Sequence, residues 1–576
     1  MRTDANAPAS TWHHAHRVAT AGERIALDRR GRWRVAVAMA GFSILFGALA
    51  ARLLLLGVSA GNAEEEGRNL ILTASQARPD IVDRNSETLA TDIKTAALFA
   101  EPRYVIDPDE ATELITSVLP DLDRDRLRQL LSTDAKFAYI KREITPRQQQ
   151  AIHKLGIPGI GFRVENRRFY PGGPAASHVL GTVNIDNRGI AGIEKHIDTA
   201  FLNDLQEAGF ANNDVMEPVR LSLDLRVQHV VRDELNEAME RYHAIAAIGI
   251  VLDVNTGEVL GMSSVPDYDS NNRDEVLDPD RMNRAAVGVY EMGSTFKGFT
   301  VAMALDSGAA KVTDSFDATH GLTVGKFTIN DFHGKHRWLT VPEIFIYSSN
   351  VGAARMALAL GNQGQHDYLQ RFGLLGTLKT ELPETGAPIV PNMPWPKVTT
   401  ITMAFGHGIS VSPLQTAAAG AALVNGGFYI APTFLPRTIE EAAAVARPVL
   451  RPETSDIMRK LFRLNVLKGS GKRAAVEGYG VGGKTGTAEK VENGRYSASK
   501  RRNAFIAAFP MDAPKYLVLV VLDEPKPEMP GRGATAGINT APTAGNIVRR
   551  IAPMLGVEPK AVDPAEDPAL ALASAR

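Results

Sequence analysis

The sequence predicts a multidomain α/β chain: a single N-terminal transmembrane helix, an elongated α+β pedestal, and a larger unit on a central antiparallel sheet. Three observations predict it. An apolar run at residues 35–58 follows an arginine-rich flank. Strand-like segments lie at both ends of the stretch from 219 to 522, with helical patterns between them. Inside that stretch, Ser294 and Lys297 stand three apart where an apolar helical pattern begins.

Length and composition bound the reading. With 576 residues the chain has room for several domains and sizeable cores. Its formal net charge of −1 offers no overall basic field for nucleic acid. It has no cysteine, which excludes disulfides, thiolate metal sites and a cysteine nucleophile.

Residues 1–34 lack apolar periodicity and read as a disordered cytoplasmic tail, with His13, His14 and His16 as solvated tail residues. Residues 35–58 are apolar except for Arg52. Roughly 24 residues at about 1.5 Å each give a helix of about 36 Å, enough to span a bilayer. Arg24, Arg29, Arg30, Arg32 and Arg34 precede the run, which places the N-terminus in the cytoplasm and the bulk of this single-pass chain beyond the membrane. A cleaved signal peptide ending near Ala60 is the rival. Its apolar core would be only about 7–15 residues long, so an uncleaved anchor fits better.

Residues 59–217 form the predicted pedestal. Residues 78–85 read as an extended segment ending in a turn, 109–155 as helical, and 168–173 and 181–194 as turn-rich. No compact set of nucleophile, base and acid occurs there, so this part is read as non-catalytic. The second unit spans 218–556. Val219–Leu223 alternates as a strand does, and Asp224 caps a helix running to about Tyr242. Residues 246–252 and 258–262 flank Asn255-Thr256-Gly257 as a hairpin. Further strands are predicted at 503–509 and 516–522, with a closing helix near 543–551. Residues 557–576, rich in Pro and Ala, read as a disordered tail.

The chemistry concentrates in three clusters of the second unit. On a helix, Lys297 lies one turn along from Ser294, where a desolvated amine can take the hydroxyl proton. Gly293 lets the chain turn tightly before the nucleophile. Ser348 can relay a proton, and the amide of Asn350 can hold the lysine or a substrate carbonyl. Lys484, Thr485 and Thr487 supply a cation and two hydroxyls suited to a carboxylate, while Gly486 clears space beside the strand for a substrate backbone. The N–H groups of Ser294 and Thr487 can form an oxyanion hole.

Together, Ser294-x-x-Lys297, Ser348-x-Asn350 and Lys484-Thr485-Gly486 resemble the motif set of penicillin-binding proteins and serine β-lactamases. Residues 78–90, 168–194, 283–285, 406–409, 412–415 and 488–490 extend the resemblance to class B penicillin-binding proteins, from about Arg34 to Gly556. Residues 348–352 are similar to the division-specific, septal branch. Met292 departs from the family, where proline is common. The resemblance implies a penicillin-binding transpeptidase domain acting as a peptidoglycan D,D-transpeptidase through a serine acyl-enzyme. It also implies stem peptides of nascent, lipid-precursor-derived glycan as substrate, β-lactams as inhibitors and no cofactor or metal. A polytopic septal glycan polymerase and other division proteins are the implied partners, at the cytoplasmic (inner) membrane with the catalytic domain in the periplasm.

Four rivals stand beside this reading. A D,D-carboxypeptidase or β-lactamase would use water in place of an amine, but no Glu-x-x-Leu-Asn segment of the class A deacylating kind is evident. A division scaffold with an idle site is another, against which the intact polar set speaks. Residues 478–485 also satisfy a phosphate-binding-loop pattern, with an apolar strand further on at 517–522; an ATPase would need a strand before the loop and a helix after it. Ser497-x-x-Lys500 repeats the nucleophile spacing in a charged loop, and His333 with His336 mimics a metal pair lacking a third ligand.

Overall fold

The computed structural model describes residues 77–202, 216–492, 495–529, 531, 533–560 and 565–574, with scattered helical positions between 33 and 52. Nearly all of the predicted N-terminal tail, much of the predicted anchor and residues 59–76 lie outside the described residues. Among the described residues no helix is long and apolar enough to cross a membrane. Positions 43–50 are helical and exposed. They belong to a unit ending at Ala74, separate from the one that spans Ser75–Arg576.

The pedestal is organised around one long strand. It comprises β1 (Ile81–Val82), β2 (Thr88–Ala100), α1 (Pro108–Val118), α2 (Arg124–Leu131), β3 (Ala138–Ile144), α3 (Pro146–His153) and β4 (Ile160–Phe169). β2 pairs antiparallel with β1, β3 and β4. Asp107 and Asp123 cap α1 and α2 by accepting backbone N–H bonds, and Thr145 with Gln148 forms a capping box on α3. The helical reading of 109–155 is corrected at β3. There Tyr139 and Ile144 add to the edge of β2, and strand pairing overrides a helical pattern that holds on both sides.

Two arginines tie the pedestal together. Arg168 is buried, donating to Glu194 Oε1 at 2.6 Å, Asp92 Oδ1 at 3.1 Å and the Pro79 carbonyl at 2.8 Å. Arg78 donates to Glu194 Oε2 at 2.9 Å and also bonds Asp198. The segments around 78 and 168–194 therefore converge on one buried carboxylate.

The predicted strand at 219 forms, as β5 (Val219–Arg220), but pairs parallel with β1 and so completes the pedestal sheet. Asp224 caps α4 (Leu225–Tyr242) through the Arg226 N–H. β6 (Ala246–Asp253) and β7 (Val259–Val265) come next as the expected hairpin. The helices beyond the hairpin include α5 (Lys297–Ser307), α6 (Val341–Tyr347), α7 (Asn350–Leu360), α8 (Pro413–Ala421) and α9 (Pro452–Lys468). The C-terminal part adds β8 (Gly482–Glu492), β9 (Arg495–Phe509), β10 (Tyr516–Asp523) and α10 (Thr540–Met554).

These strands form one antiparallel sheet in the order β8-β9-β10-β6-β7. Buried on both faces, β6 and β10 are nearly continuous apolar runs. One face packs Val251, Val518 and Phe505 with residues of α4 and α10; the other packs Ile250, Ile506 and Leu519 with residues of α5 and α8. β8 is an edge strand, and its free side faces the turn that carries Ser294.

The C-terminal segment differs from expectation. Residues 568–570 and 571–574 form short helical turns, with Ala569 buried among Ile346 of α6 and Leu464 of α9. Asp567 accepts from Arg463 of α9 at 2.7 Å. One turn is too short to show a period, which is why composition alone reads it as disordered.

Candidate active site

The nucleophile turn is shaped by close backbone approach. Gly293 has φ +53°, and Gly293–Phe296 forms a tight 3-10 turn that runs into α5. Met292, the departure from the family pattern, is buried and makes this turn normally; its carbonyl accepts from Thr295 Oγ1 at 2.8 Å. A Cβ on Gly486 would lie 2.5 Å from the Met292 carbonyl oxygen, and one on Gly293 2.8 Å from that of Thr487. Only glycines let β8 lie this near the serine.

Lys297 is the hub. It is 0% exposed, and its Nζ lies 2.9 Å from Ser294 Oγ, 2.6 Å from the Ser348 carbonyl, 3.1 Å from Ser348 Oγ and 2.7 Å from Asn350 Oδ1. Burial first, then the neighbouring Lys484 charge, hold its pKa well below the ordinary lysine range, with Asp331 opposing. As a free amine it accepts the Ser294 hydroxyl proton while its two N–H groups donate to the Ser348 carbonyl and to Asn350.

Ser348 sits between two lysines. Lys484, also 0% exposed, donates to Ser348 Oγ at 3.0 Å and to the Thr485 carbonyl at 3.0 Å. Burial lowers the Lys484 pKa to about 7. Ser348 ends α6 with a left-handed φ of +58°, uncommon for a side chain with a Cβ, and this turn aims both Ser348 and Asn350 at Lys297. Thr485 Oγ1 lies 2.6 Å from Ser470 Oγ, and Thr487 Oγ1 accepts from the Ala536 N–H at 3.3 Å. Ser294, Ser348, Asn350, Thr485 and Thr487 line one cleft of about 640 Å³. Lys297, Lys484 and Gly486 form its buried base and edge.

Three supports escape sequence reasoning. Asp331 accepts from Ser349 Oγ at 2.7 Å and from the Val351 N–H at 2.9 Å, which fixes the turn holding Ser348 and Asn350. Asn465 of α9 donates to the Gly483 carbonyl at 2.8 Å, bracing β8 just before Lys484. Its only signal is a polar residue within the apolar stripe of a helix. Glu291, three residues before the nucleophile, accepts from the Gly408 N–H at 2.7 Å and from the Tyr496 hydroxyl at 3.1 Å.

The rival motifs fold otherwise. The phosphate-loop match enters β8 at Gly482 and stays a strand through Glu492, with no helix after it. β9 separates it from the apolar strand β10. A strand points its N–H groups alternately sideways, so it cannot cradle a phosphate, and the ATPase reading is overturned. Ser497 and Lys500 lie in β9. His336 Nδ1 rests 3.3 Å from the Thr319 carbonyl, and among the described residues no group of three or more His, Asp or Glu is placed to hold a metal.

Comparison with known proteins agrees with this geometry. Residues 247–549 match the penicillin-binding protein transpeptidase domain, and residues 73–214 the penicillin-binding protein dimerisation domain. The chain is 41% identical over 498 residues to the probable peptidoglycan D,D-transpeptidase FtsI of Caulobacter vibrioides, covering 84% of this chain and 82% of that protein. It is 31% identical to the probable peptidoglycan D,D-transpeptidase PenA of Neisseria meningitidis, over 93% of this chain and 95% of the relative. A crystal structure of a peptidoglycan synthetase from Bifidobacterium adolescentis shares the fold, with a TM-score of 0.66 at 20% identity, covering 85% of this chain and 97% of that one. With both domains matched and the three motifs gathered around Lys297, this chain belongs to the penicillin-binding protein transpeptidases of the class B type.

Proposed function

We propose that this protein is a peptidoglycan D,D-transpeptidase that cross-links stem peptides at the division septum. The observation that carries the reading is the buried Lys297 amine, in contact with Ser294, Ser348 and Asn350 at once. A peptide ending in D-Ala-D-Ala lies along β8, its terminal carboxylate held by Lys484, Thr485 and Thr487. Lys297 takes the Ser294 proton as Oγ attacks the penultimate alanine carbonyl. Charge developing on that oxygen is held by the N–H groups of Ser294 and Thr487. The proton passes through Ser348 to the departing D-alanine, and an amine from a neighbouring stem peptide then releases the acyl group. A β-lactam undergoes the same first step and stays on Ser294.

Residues 35–58 anchor the protein as a single span in the cytoplasmic membrane, with the N-terminus inside and the catalytic domain in the periplasm. The domain limits are 59–217 for the pedestal and 218–556 for the catalytic unit, whose first strand, β5, reaches back to pair with β1 of the pedestal. A polytopic septal glycan polymerase binds through the span and pedestal. The membrane-flank charge pattern supports this placement.

The test is labelling with a fluorescent penicillin, beside Ser294→Ala, monitored over hours. A persistent band absent from the variant is expected. A band that fades within minutes would indicate a β-lactamase, and no band from folded protein would overturn the reading.

A further inference from the structure

The acylation chemistry leaves one polar cluster of the cleft unused. Glu291 Oε1 has two donors, but its Oε2 is buried without a hydrogen-bond partner. His407 Nδ1 lies 3.3 Å from that oxygen. The imidazole is also flanked by Tyr496, at 5.1 Å between ring centroids, and by Phe405 at 5.4 Å. Two left-handed glycines, Gly406 (φ +79°) and Gly408 (φ +77°), hold His407 in place. A Cβ on Gly406 would fall 2.2 Å from the Gly293 carbonyl oxygen, so the His407 loop is pressed against the nucleophile turn. His407 and Ser294 line the same cleft.

At 3.3 Å, close but without a hydrogen bond, the Glu291 carboxyl oxygen favours the tautomer with the proton on Nδ1, which leaves the Nε2 lone pair open. The second half of a transpeptidation needs such a group, because the attacking amine must lose a proton as it bonds to carbon. Lys297 and Ser348 serve the first half and are reset once D-alanine has left; His407 adds a second proton acceptor, on the Gly406–Gly408 side of the cleft.

Resting on the transpeptidase reading, we propose that His407 is the general base of the acceptor half-reaction, with Glu291 as its positioning residue. The acceptor is a primary amine entering on the Gly406–Gly408 side of the cleft. Its nitrogen attacks the acyl carbon of the Ser294 ester, and the new C–N bond replaces the C–Oγ bond. One amine proton passes to His407 Nε2, and the imidazolium returns it to Ser294 Oγ as the leaving group. Burial first, and the Lys297 charge whenever that amine is protonated, push His407 down to about 4, which keeps the free imidazole uncharged at neutral pH.

The test uses the full-length protein in detergent, a thioester mimic of the donor and D-alanine as the amine. Acylation is read by penicillin labelling, and acceptor transfer by the ratio of amide to hydrolysis product. In His407→Ala, amide formation should fall at least about a hundredfold more than acylation, the lower end of the range for loss of a general base. Added imidazole should restore part of it, which a packing role would not allow. Glu291→Gln should lower the amide-to-hydrolysis ratio and displace the pH profile of amide formation. Equal loss of acylation and transfer, or unchanged transfer in His407→Ala, would overturn the proposal. An unlabelled wild-type protein would overturn the transpeptidase reading itself.

Discussion

Gly486→Ala adds one methyl group where two elements of the site touch. The new Cβ would lie 2.5 Å from the Met292 carbonyl oxygen, 2.7 Å from Thr295 Cγ2 and 3.0 Å from the Thr295 amide nitrogen. Two of these neighbours are backbone atoms, so neither can rotate away. Relief requires β8 to move from the nucleophile turn by roughly 0.7–1 Å to reach ordinary contact distance. Overpacking of this kind costs about 1–3 kcal/mol, or roughly 1–4 °C in melting temperature for a unit of this size. The effect on chemistry is larger, since a misplacement of about 1 Å in a catalytic constellation can lower a rate about a hundredfold. The second-order rate of penicillin acylation should therefore fall about 100-fold in a protein that remains folded. Gly298→Ala is the control: its Cβ would meet side chains alone, the flexible Leu423 at 3.3 Å and the Phe462 ring at an ordinary 3.6 Å. Acylation of Gly486→Ala within about threefold of wild type would refute the claim that this approach positions the serine.

Lys297→Ala should lower acylation by about 10²–10⁴-fold, and Lys297→Arg should not rescue it, because a guanidinium does not give up its proton; stopped-flow labelling measures both. The acylation rate should be bell-shaped in pH. It rises as Lys297, held below its usual range, becomes a free amine, and it falls above about 7 as Lys484 loses the charge that attracts a carboxylate. The alkaline limb should vanish in Lys484→Ala, whose binding is weaker throughout. In the pedestal, Arg168→Met takes the guanidinium from Asp92 and leaves Arg78 as the remaining arginine on Glu194, and should destabilise by about 3 kcal/mol, the lower end of the range for breaking a buried pair, seen as a lower denaturation midpoint.

Local signals carried much of this architecture. Asp224 stands one residue before its helix and caps it. The Asn255-Thr256-Gly257 turn joins β6 to β7, and the apolar runs at 516–522 and 503–509 are strands. The motif residues at 294, 297, 348, 350 and 484 meet because their spacing encodes fixed local geometry: one helical turn, one helix-to-helix turn, one edge strand. The features that stayed hidden depend on partners distant in the chain. β3 is a strand because β2 lies beside it, not because of its own pattern. Asp331 braces Ser349 from 18 residues away and belongs to no recognisable motif. The phosphate-loop pattern shows the reverse failure. Gly478, Gly483, Lys484 and Thr485 fit a short template whose meaning depends on the next element of the chain, and here that element is a strand.

The strand order has a consequence for how the chain reaches its native state. β6 is apolar along its length and takes its second neighbour, β10, from the far end of the domain. Roughly 260 residues separate the two, so at about 5–20 residues per second β6 waits some 13–50 s for that partner during synthesis. Throughout that interval the β6–β7 hairpin presents a bare apolar edge, the kind of surface on which chains associate wrongly. α4 emerges just before the hairpin and can cover one face, but nothing local can cover the edge. The domain is therefore a slow, late-closing folder whose yield should depend on what shields this hairpin before its C-terminal strands arrive.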